Sequence, residues 1–349
     1  MIYAGLDLHR NFSVVTMMDS QGKEVIRQKK LPNNGQIIEL FRAFNEPVTV
    51  AMEASCSWCW LYDLLEESGV EVKLSHPFKT KAIASAKIKN DKIDSKVLAH
   101  LLRTDLLPLS YVPERDIRML RQLLRYRASL VRIQTGIKNR IHAILAKNNI
   151  SHDFSDLFGK QGKEFLNSLS LSEVYQKAID GYLSVLNELD KQIKVVDKTV
   201  AVSAKDDEDA KLIITIPGIG YYSALLIKSE IGDINRFPSA KQVCSYAGLI
   251  PSTYSSGNTT FHGHITKQGS RWLRWILAQA IGHCVNKPGH LQQFYFRLAR
   301  RRGEKITKVA TERKLLEWIY HMLKERRTFQ DMEKMADAWG KPVWVTGLR

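Results

Sequence analysis

Runs of apolar residues in the first third of the chain predict a sheet interleaved with helices. Continuous or alternating apolar residues indicate five strands, at residues 2–6, 12–18, 24–28, 48–53 and 70–74. Apolar residues at helical spacing indicate helices at 35–44, 58–67, 82–86 and 94–102. Three strands followed by strand–helix alternation are the order expected of a ribonuclease-H-like α/β fold, although periodicity alone permits other α/β folds.

Pro113 marks a change to an all-α region, since proline is tolerated in the first turn of a helix. From 114 to 147 apolar residues follow one helical face, and the flanking positions are almost all basic. A solvated helix normally mixes charges of both signs, so a surface of one sign favours a nucleic-acid contact. The residues expected to make it are Arg118, Arg121, Arg125, Arg132, Lys138 and Arg140.

A second long helix carries the clearest periodicity in the chain. Its apolar residues alternate steps of three and four, as in a coiled coil, at Ile179, Tyr182, Leu186, Leu189, Ile193, Val196 and Val200. This seam can pack on the basic helix of the same chain, or it can join two subunits. We favour the subunit contact.

The acidic segment 205–209 predicts a linker, so we divide the chain into segments 1–112, 113–205 and 206–349. Beyond the linker, Ile214-Thr-Ile-Pro-Gly-Ile-Gly220 is similar to the turn of a helix-hairpin-helix motif. Gly218 and Gly220 would let the main chain approach a phosphate, and the next helix would offer free N–H groups. An ordinary glycine-rich helix connection is the alternative.

Glycines and small hydroxyl residues between 247 and 258 predict an exposed loop. A serine attacks phosphorus if a nearby base or metal accepts its proton. On this ground Ser252, Ser255 and Ser256 are equal candidates, and a plain turn is the alternative. Basic residues that would neutralise phosphates follow in a helical C-terminal region, at Lys267, Arg271, Arg274, Arg300, Arg301 and Arg302.

The charge of the chain points to a polyanionic partner. With 52 basic and 36 acidic residues, the formal net charge is +16 at pH 7. A membrane surface is a weaker alternative, because no apolar run approaches the roughly 18 residues of a spanning helix. Four cysteines are too few for a disulfide framework, and Cys56 and Cys59 lack a second pair for zinc. We therefore expect a cytoplasmic protein without a membrane partner.

Four acidic residues suggest a metal site. Asp7 and Glu53 each end an apolar strand pattern, and neighbouring strands would bring them together. Asp91 and Asp94 stand three residues apart, and they share a face if the helix begins as early as Asp91. Crowded carboxylates are the ligands that magnesium prefers, and without a cation they repel one another. The alternative is that each acid caps a strand or helix.

A set of short motifs, in order along nearly the whole chain, resembles the DEDD transposases of the insertion-sequence family numbered one hundred and ten, which includes the pilin-gene inversion recombinases. The motifs are Gly5-Leu-Asp7, Ala51-Met-Glu53, Asn90-Asp-Lys-Ile-Asp94, Ile216-Pro-Gly-Ile-Gly220, Ala247-Gly-Leu-Ile-Pro251, Ser256-Gly257 and Ile265-Thr-Lys-Gln-Gly269. Ser95 departs from the alanine that many relatives carry.

The resemblance implies an N-terminal RuvC-like domain whose acids match Asp7, Glu53, Asp91 and Asp94, a coiled-coil middle, and a C-terminal transposase domain. The nucleophilic serine of the family best matches Ser256, and the adjacent Ser255 leaves that match open by one position. The resemblance also implies dimers that pair into tetramers. In such a tetramer the serine of one subunit completes the active site formed by the acids of another. The resemblance further implies guidance by a structured bridge RNA whose loops pair with donor and target DNA.

On this basis we expect a magnesium-dependent recombinase that exchanges DNA strands through a phosphoserine intermediate. One alternative is a RuvC-like endonuclease that cuts branched DNA with a metal-activated water. Another is a catalytically inactive protein that binds RNA or DNA.

Overall fold

The computed structural model describes residues 1–55, 57–83, 91–256 and 259–338, with the main chain alone at Asp91, Lys92, Ile93, His262, Asp337 and Ala338. The chain divides into two compact units, Met1–Pro113 and Glu114–Arg349. Val200, near the end of the helix predicted to carry the coiled-coil seam, shares a core with the C-terminal helices. A further division at residue 205 therefore stays an interpretation of the sequence.

The first unit is built on a five-stranded sheet in the order β3-β2-β1-β4-β5. Its strands are β1 (Ile2–Leu8), β2 (Phe12–Met18), β3 (Glu24–Pro32), β4 (Val48–Glu53) and β5 (Glu71–Ser75). Its helices are α1 (Gln36–Arg42), α2 (Trp58–Glu67), α3 (Pro77–Ile83) and α4 (Asp91–Arg103). Strands β1, β2 and β3 pair antiparallel, whereas β4 and β5 run parallel to β1. The predicted mixed α/β fold is confirmed, with the strand order expected of the ribonuclease-H-like class.

Helices cover both faces of the sheet because its central strands are apolar on both sides. On one face, Ile37 of α1 and Leu61 of α2 pack in a core with Leu6 of β1. On the other face, Leu98 of α4 packs with Ala51 of β4. The two faces of β1 and β4 therefore meet different helices.

Most element boundaries of this unit agree with the predictions, and the differences have physical reasons. β3 continues to Pro32 instead of ending at Gln28, since charged side chains are common on an edge strand while its main chain pairs with β2. α4 begins at Asp91, as the shared face of Asp91 and Asp94 requires. Of the helix predicted at 82–86, residues 84–86 lie outside the described ranges, and the described helix there starts at Pro77.

The second unit starts with two long antiparallel helices, α5 (Arg115–Lys147) and α7 (Glu173–Lys205), and α6 (Lys160–Ser168) packs against both. Arg127 of α5 donates to Asp197 of α7 at 2.8 Å. The seam faces α5 of the same chain, and Ile179, Leu186 and Val200 are at most 1% exposed. The prediction that this seam joins two subunits is wrong, because helices of the same chain cover it. The heptad pattern could not reveal this, since it does not show which helix packs on the seam.

Shorter helices complete the second unit around the buried side chain of Trp318. They are α8 (Glu208–Ile214), α9 (Tyr221–Ile231), α10 (Ala240–Tyr246), α11 (Arg271–Cys284), α12 (His290–Arg302), α13 (Glu304–Glu325) and α14 (Phe329–Ala338), with a 3₁₀ turn at Ile234–Arg236. The hairpin of β6 (Pro251–Ser256) and β7 (Thr259–Ile265) lies between α10 and α11 in the sequence. Within the described ranges, no helix combines the length and apolar character needed to cross a bilayer.

The linker predicted at 205–209 is wrong. α7 ends at Lys205 and α8 begins at Glu208, so only a tight turn separates them. Asp207 caps α8 by accepting from the Ala210 N–H at 2.9 Å, and its other oxygen pairs with Lys228. The acidic residues therefore cap and brace a helix junction.

Candidate active site

Asp7 and Glu53 lie side by side on neighbouring strands. β1 and β4 run parallel with Leu6 opposite Met52, so one step further along the strands places Asp7 beside Glu53. Residues two apart share a face of a strand. Asp7 therefore faces the same side as Gly5, and Glu53 the same side as Ala51, which packs against α4. Both acids point to the side of the sheet that α4 covers.

Gly5 lets α4 lie directly on β1. A Cβ atom at this position would be 1.9 Å from the carbonyl oxygen of Ser95 and 2.5 Å from the main-chain nitrogen of Ala99. The side chains of Thr16 and Ser95, both fully buried, share a hydrogen bond of 2.8 Å that ties α4 to β2. Asp94 comes immediately before Ser95, so this close approach brings the start of α4 to the strand that carries Asp7.

The main chain places Asp91 and Asp94 one helical turn apart at the start of α4. Asp94 is half-buried, and the side chain of Asp91 lies outside the described residues. Among the side chains that are described, no three histidine, cysteine, aspartate or glutamate residues lie close enough to hold a metal ion. The three described acids alone are therefore not a closed metal cluster, although their oxygens are the hard donors that magnesium takes.

His9 is a neighbour of this site that the sequence analysis missed. Its Nε2 lies 2.9 Å from Oδ2 of Asp7. The imidazole of His9 stacks on the Phe12 ring. The Lys30 ammonium lies over the same Phe12 ring, at 3.8 Å from its centroid. Asn33 donates to the main-chain oxygen of His9 at 2.7 Å. His9 directly follows β1 and stands two positions after Asp7, and this spacing was the signal available in the sequence. The contacts above hold His9 where it can orient the Asp7 carboxylate.

The candidate serines lie on the β6–β7 hairpin, where the structure distinguishes them. Ser252 donates to the main-chain oxygen of His264 at 3.1 Å, and the Ser255 hydroxyl is 3.0 Å from that of Thr260. Ser256 lies opposite Thr259, is exposed, and makes no hydrogen bond through its hydroxyl within the described ranges. Gly257, next to it, lies outside them.

The glycines on either side of the hairpin clamp its base. Gly248 has φ of 71° and Gly269 has φ of 137°, a region that favours glycine. A Cβ on Gly269 would be 2.0 Å from the Tyr246 oxygen, and one on Gly248 would be 2.8 Å from the main chain of Gln268. Arg274 Nη1 donates to the Ala247 oxygen at 2.8 Å. The glycine-rich motifs around the serines therefore serve to hold the hairpin.

Comparison with known proteins gives the same picture for both units. A transposase family model for IS110-type DEDD enzymes matches residues 4–149, which include all four acids. A second model, the IS116/IS110/IS902 transposase family, matches residues 210–296, which include the serine hairpin. The chain belongs to the IS110 family of transposases. It is therefore an enzyme that acts on DNA.

Relatives of this IS110-family chain extend over most of its length. The transposase for insertion sequence element IS1111A of Coxiella burnetii is 26% identical over 80% of this chain and 79% of the relative. The transposase for insertion sequence element IS1328 of Yersinia enterocolitica is 26% identical over 79% of this chain and 81% of the relative. A probable family 20 transposase of Pseudomonas aeruginosa is 25% identical over 93% of this chain and 98% of the relative. Both units therefore have counterparts in other transposases.

Several basic residues predicted to contact nucleic acid have internal partners in this transposase. Arg125 donates to Oε1 of Glu230 through Nε at 3.0 Å and Nη2 at 2.7 Å, and Glu230 is 1% exposed. Arg121 donates to the main-chain oxygen of Ser229 at 2.6 Å. Together with Arg274 at the hairpin base, these guanidinium groups brace the second unit. Charge patterning did not reveal Glu230, since it lies far along the chain.

The remaining residues predicted to contact nucleic acid differ in their exposure. Arg118 is half-buried and also has a partner within the protein. Lys138 is half-buried, and its ammonium lies 5.0 Å from the centroid of the Phe158 ring. Seven predicted contacts are exposed and form no ion pair within the described ranges, and these residues can contact a nucleic acid. They are Arg132, Arg140, Lys267, Arg271, Arg300, Arg301 and Arg302.

Gly218 and Gly220 lie in the turn between α8 and α9 and are both exposed. The positive φ of Gly218, 80°, and the His283 side chain, which would be 2.1 Å from a Cβ, explain why glycine is needed there. A Cβ on Gly220 would meet no atom within 4 Å, and Gly220 is the N-cap residue of α9. Contact of this turn with a phosphate stays a prediction.

Proposed function

We propose that this transposase is a magnesium-dependent recombinase that exchanges DNA strands through a covalent link to Ser256. The observation that carries the proposal is the placement of Asp7 and Glu53 side by side, on the face of the sheet where Gly5 admits the start of α4. Four acids from three separate segments, Asp94 and Asp91 included, would then share one place. Such an arrangement of like charges is stable when a divalent cation is bound.

The acids Asp7, Glu53, Asp91 and Asp94 would hold the metal, as in a RuvC-like domain. A magnesium ion held by these acids would supply Lewis-acid chemistry, polarising the scissile phosphate and lowering the pKa of an attacking hydroxyl. His9 would keep the Asp7 carboxylate turned toward the site through the contact at 2.9 Å.

Ser256 would then make the covalent link. Its Oγ forms a bond to phosphorus, the bond from phosphorus to one deoxyribose oxygen breaks, the serine proton passes to a base, and the departing oxygen takes up a proton. The phosphodiester energy is kept in the phosphoserine bond, so strands can be rejoined without a nucleoside triphosphate. Ser256 is preferred to Ser255, because the hydroxyl of Ser255 is engaged with Thr260.

The exposed basic residues would hold nucleic-acid backbones rather than read bases. Arg132 and Arg140 on α5 and the run 300–302 on α12 are suited to phosphate contacts. Choice of sequence would come from a structured bridge RNA whose loops pair with donor and target DNA, as guided nucleases delegate recognition to base pairing. The family resemblance further suggests dimers pairing into tetramers, with the serine of one subunit acting at the acids of another.

Trapping of the covalent intermediate tests this proposal. The chain is purified with its copurifying RNA and incubated with magnesium and labelled duplex DNA from either side of its own gene. Denaturing gels should show a protein–DNA adduct for the wild type and for the matched control Ser255→Ala, but none for Ser256→Ala or Asp7→Asn.

Two results would overturn parts of the proposal. If Ser256→Ala cuts DNA as fast as the wild type, a metal-activated water is the nucleophile and the protein is a RuvC-like endonuclease. If Asp7→Asn still forms the adduct and exchanges strands, the acids have no metal role. Sequencing of the copurified RNA tests the guide separately, since a bridge RNA must contain stretches complementary to both DNA partners.

A further inference from the structure

Two large aromatic side chains project from the hairpin that carries Ser256. Tyr254 is 71% exposed and Phe261 is 69% exposed. They are cross-strand partners in the β6–β7 register. Within the described ranges neither ring makes a ring-stacking or cation–π contact with the protein. Burying one such ring is favourable by about 2 kcal/mol, so leaving two neighbouring rings in water points to a partner that covers them.

The rings share a face with the candidate nucleophile. Side chains alternate along a strand, so Tyr254 and Ser256 point to the same side, whereas Ser255 points to the other. Phe261 lies opposite Tyr254 and Thr259 lies opposite Ser256, so all four side chains belong to one face of the hairpin. Positions two apart on a strand are separated by about 7 Å. This is about the distance from a phosphate to the neighbouring nucleotide of an extended strand.

We propose that Tyr254 and Phe261 form a stacking platform for an unpaired nucleobase beside the phosphate that Ser256 attacks. The inference rests on the function proposed above, because it takes Ser256 as the place where the DNA strand lies. A nucleobase is favoured over an apolar peptide as the occupant. The rings stand among hydroxyl groups rather than in an apolar groove, on a chain with a net charge of +16 that attracts the adjoining phosphates.

Stacking would position the strand without reading its sequence. Every base presents a flat π surface, so aromatic platforms hold single strands with little sequence preference. The rigid antiparallel pairing and the clamped base of the hairpin fix the rings relative to Ser256. Holding the neighbouring base turns attack on phosphorus into a reaction between oriented groups. Tyr254 and Phe261 are therefore positioning residues, and the chemistry stays with Ser256.

The test uses substitutions that separate a flat ring from apolar bulk. Tyr254→Leu and Phe261→Leu keep apolar volume and remove the ring face, whereas Tyr254→Phe keeps the ring face and removes the hydroxyl. The probe is a DNA duplex with a single-stranded gap, carrying 2-aminopurine at successive positions of the gap. Its fluorescence falls when the base stacks. Each ring change is also made on a Ser256→Ala background, so binding is measured without chemistry.

We expect quenching at one position of the probe with the wild type, with Tyr254→Phe and with Ser256→Ala. Both leucine variants should lose it, bind the gapped DNA about 5- to 100-fold more weakly, and form adduct with a correspondingly higher KM. Quenching that persists in the leucine variants overturns the platform. So does a leucine variant whose only defect is in self-association, because the rings would then contact protein.

The outcome for the platform and the outcome for Ser256 can be told apart. If Ser256→Ala still forms adduct while the leucine variants lose quenching, the proposed nucleophile is wrong and the platform stands. If Ser256→Ala loses the adduct while the leucine variants quench and react as the wild type does, the nucleophile stands and the platform is wrong.

Discussion

The change Gly5→Ala tests directly how the fold assembles the acids. The new Cβ would be 1.9 Å from the Ser95 oxygen, whereas real Cβ contacts begin near 3.0 Å. α4 must therefore move away from β1 by about 1 Å or more, since both clashing atoms at Ser95 and Ala99 belong to its main chain. Overpacking of this kind costs about 1–3 kcal/mol, and losing the Thr16–Ser95 hydrogen bond adds about 1 kcal/mol.

The same shift separates the acids of α4 from Asp7 and Glu53. A displacement of 1 Å at a catalytic site can reduce the rate on the order of 100-fold, so we expect DNA cleavage to fall much more than stability alone explains. A higher magnesium concentration should restore part of the activity, because weaker binding of the metal is offset by mass action.

Hydrogen exchange measured by mass spectrometry is the suitable assay, since the two units need not unfold together. We expect faster exchange in β1 and α4, while α5 and α7 stay unchanged. Gly35→Ala is the matched control, since a Cβ there meets nothing within 4 Å, and its effect should stay within about 0.5 kcal/mol. Unchanged exchange and activity in Gly5→Ala would refute the argument that this glycine admits α4.

Three further changes test other parts of the account. Arg125→Ala should destabilise the protein by about 1–3 kcal/mol in urea unfolding, because it leaves the buried Glu230 carboxylate with the Ser270 hydroxyl but without its cationic partner. Arg132→Ala should change stability by less than about 0.5 kcal/mol, and equal effects would contradict the internal role of Arg125. Burial raises the pKa of Glu312 from 4.5 to about 7. Between about pH 4.5 and 7 the Glu312 carboxyl therefore keeps its proton in the folded state and loses it in the unfolded state. The free energy of unfolding falls as the pH rises through that window. Glu312→Gln should therefore be more stable than the wild type at pH 8, by at most about 3 kcal/mol, with a difference that shrinks toward pH 4.5, and thermal melts at both pH values check the sign. Replacing the arginines 300–302 with serine should lower the slope of log binding constant against log salt by about 2–3 for duplex DNA, and an unchanged slope would exclude them from the interface.

The sequence allowed the sheet and the position of its acids to be predicted for a simple physical reason. Strand period and strand order follow from local patterning, and the carboxyl ends of parallel neighbours meet at one edge. Asp7 and Glu53 therefore needed only the order of β1 and β4 to be placed together. The role of Gly5 was not visible, because it depends on a helix that arrives some ninety residues later in the chain.

Features that depend on distant partners were predicted less well. The heptad seam of α7 is real, but its partner is α5 of the same chain, and either partner satisfies the same pattern. Arg121 and Arg125 look like any other basic residues of α5 until Glu230 is brought beside them by folding. From the residues alone Ser255 and Ser256 are equal candidates, and the family resemblance favours Ser256. The structure distinguishes them because the Ser255 hydroxyl contacts that of Thr260.

Cleavage of the main chain by bound iron is the most direct test that distant acids share one metal. Fe²⁺ takes the same oxygen ligands as magnesium and, with ascorbate and peroxide, cuts the nearest main chain. We expect cuts near Asp7, near Glu53 and at the start of α4, all suppressed by excess magnesium and all lost together in Asp7→Asn. Cuts confined to one of these segments, or cuts that persist unchanged in Asp7→Asn, would show that the acids do not share one metal site.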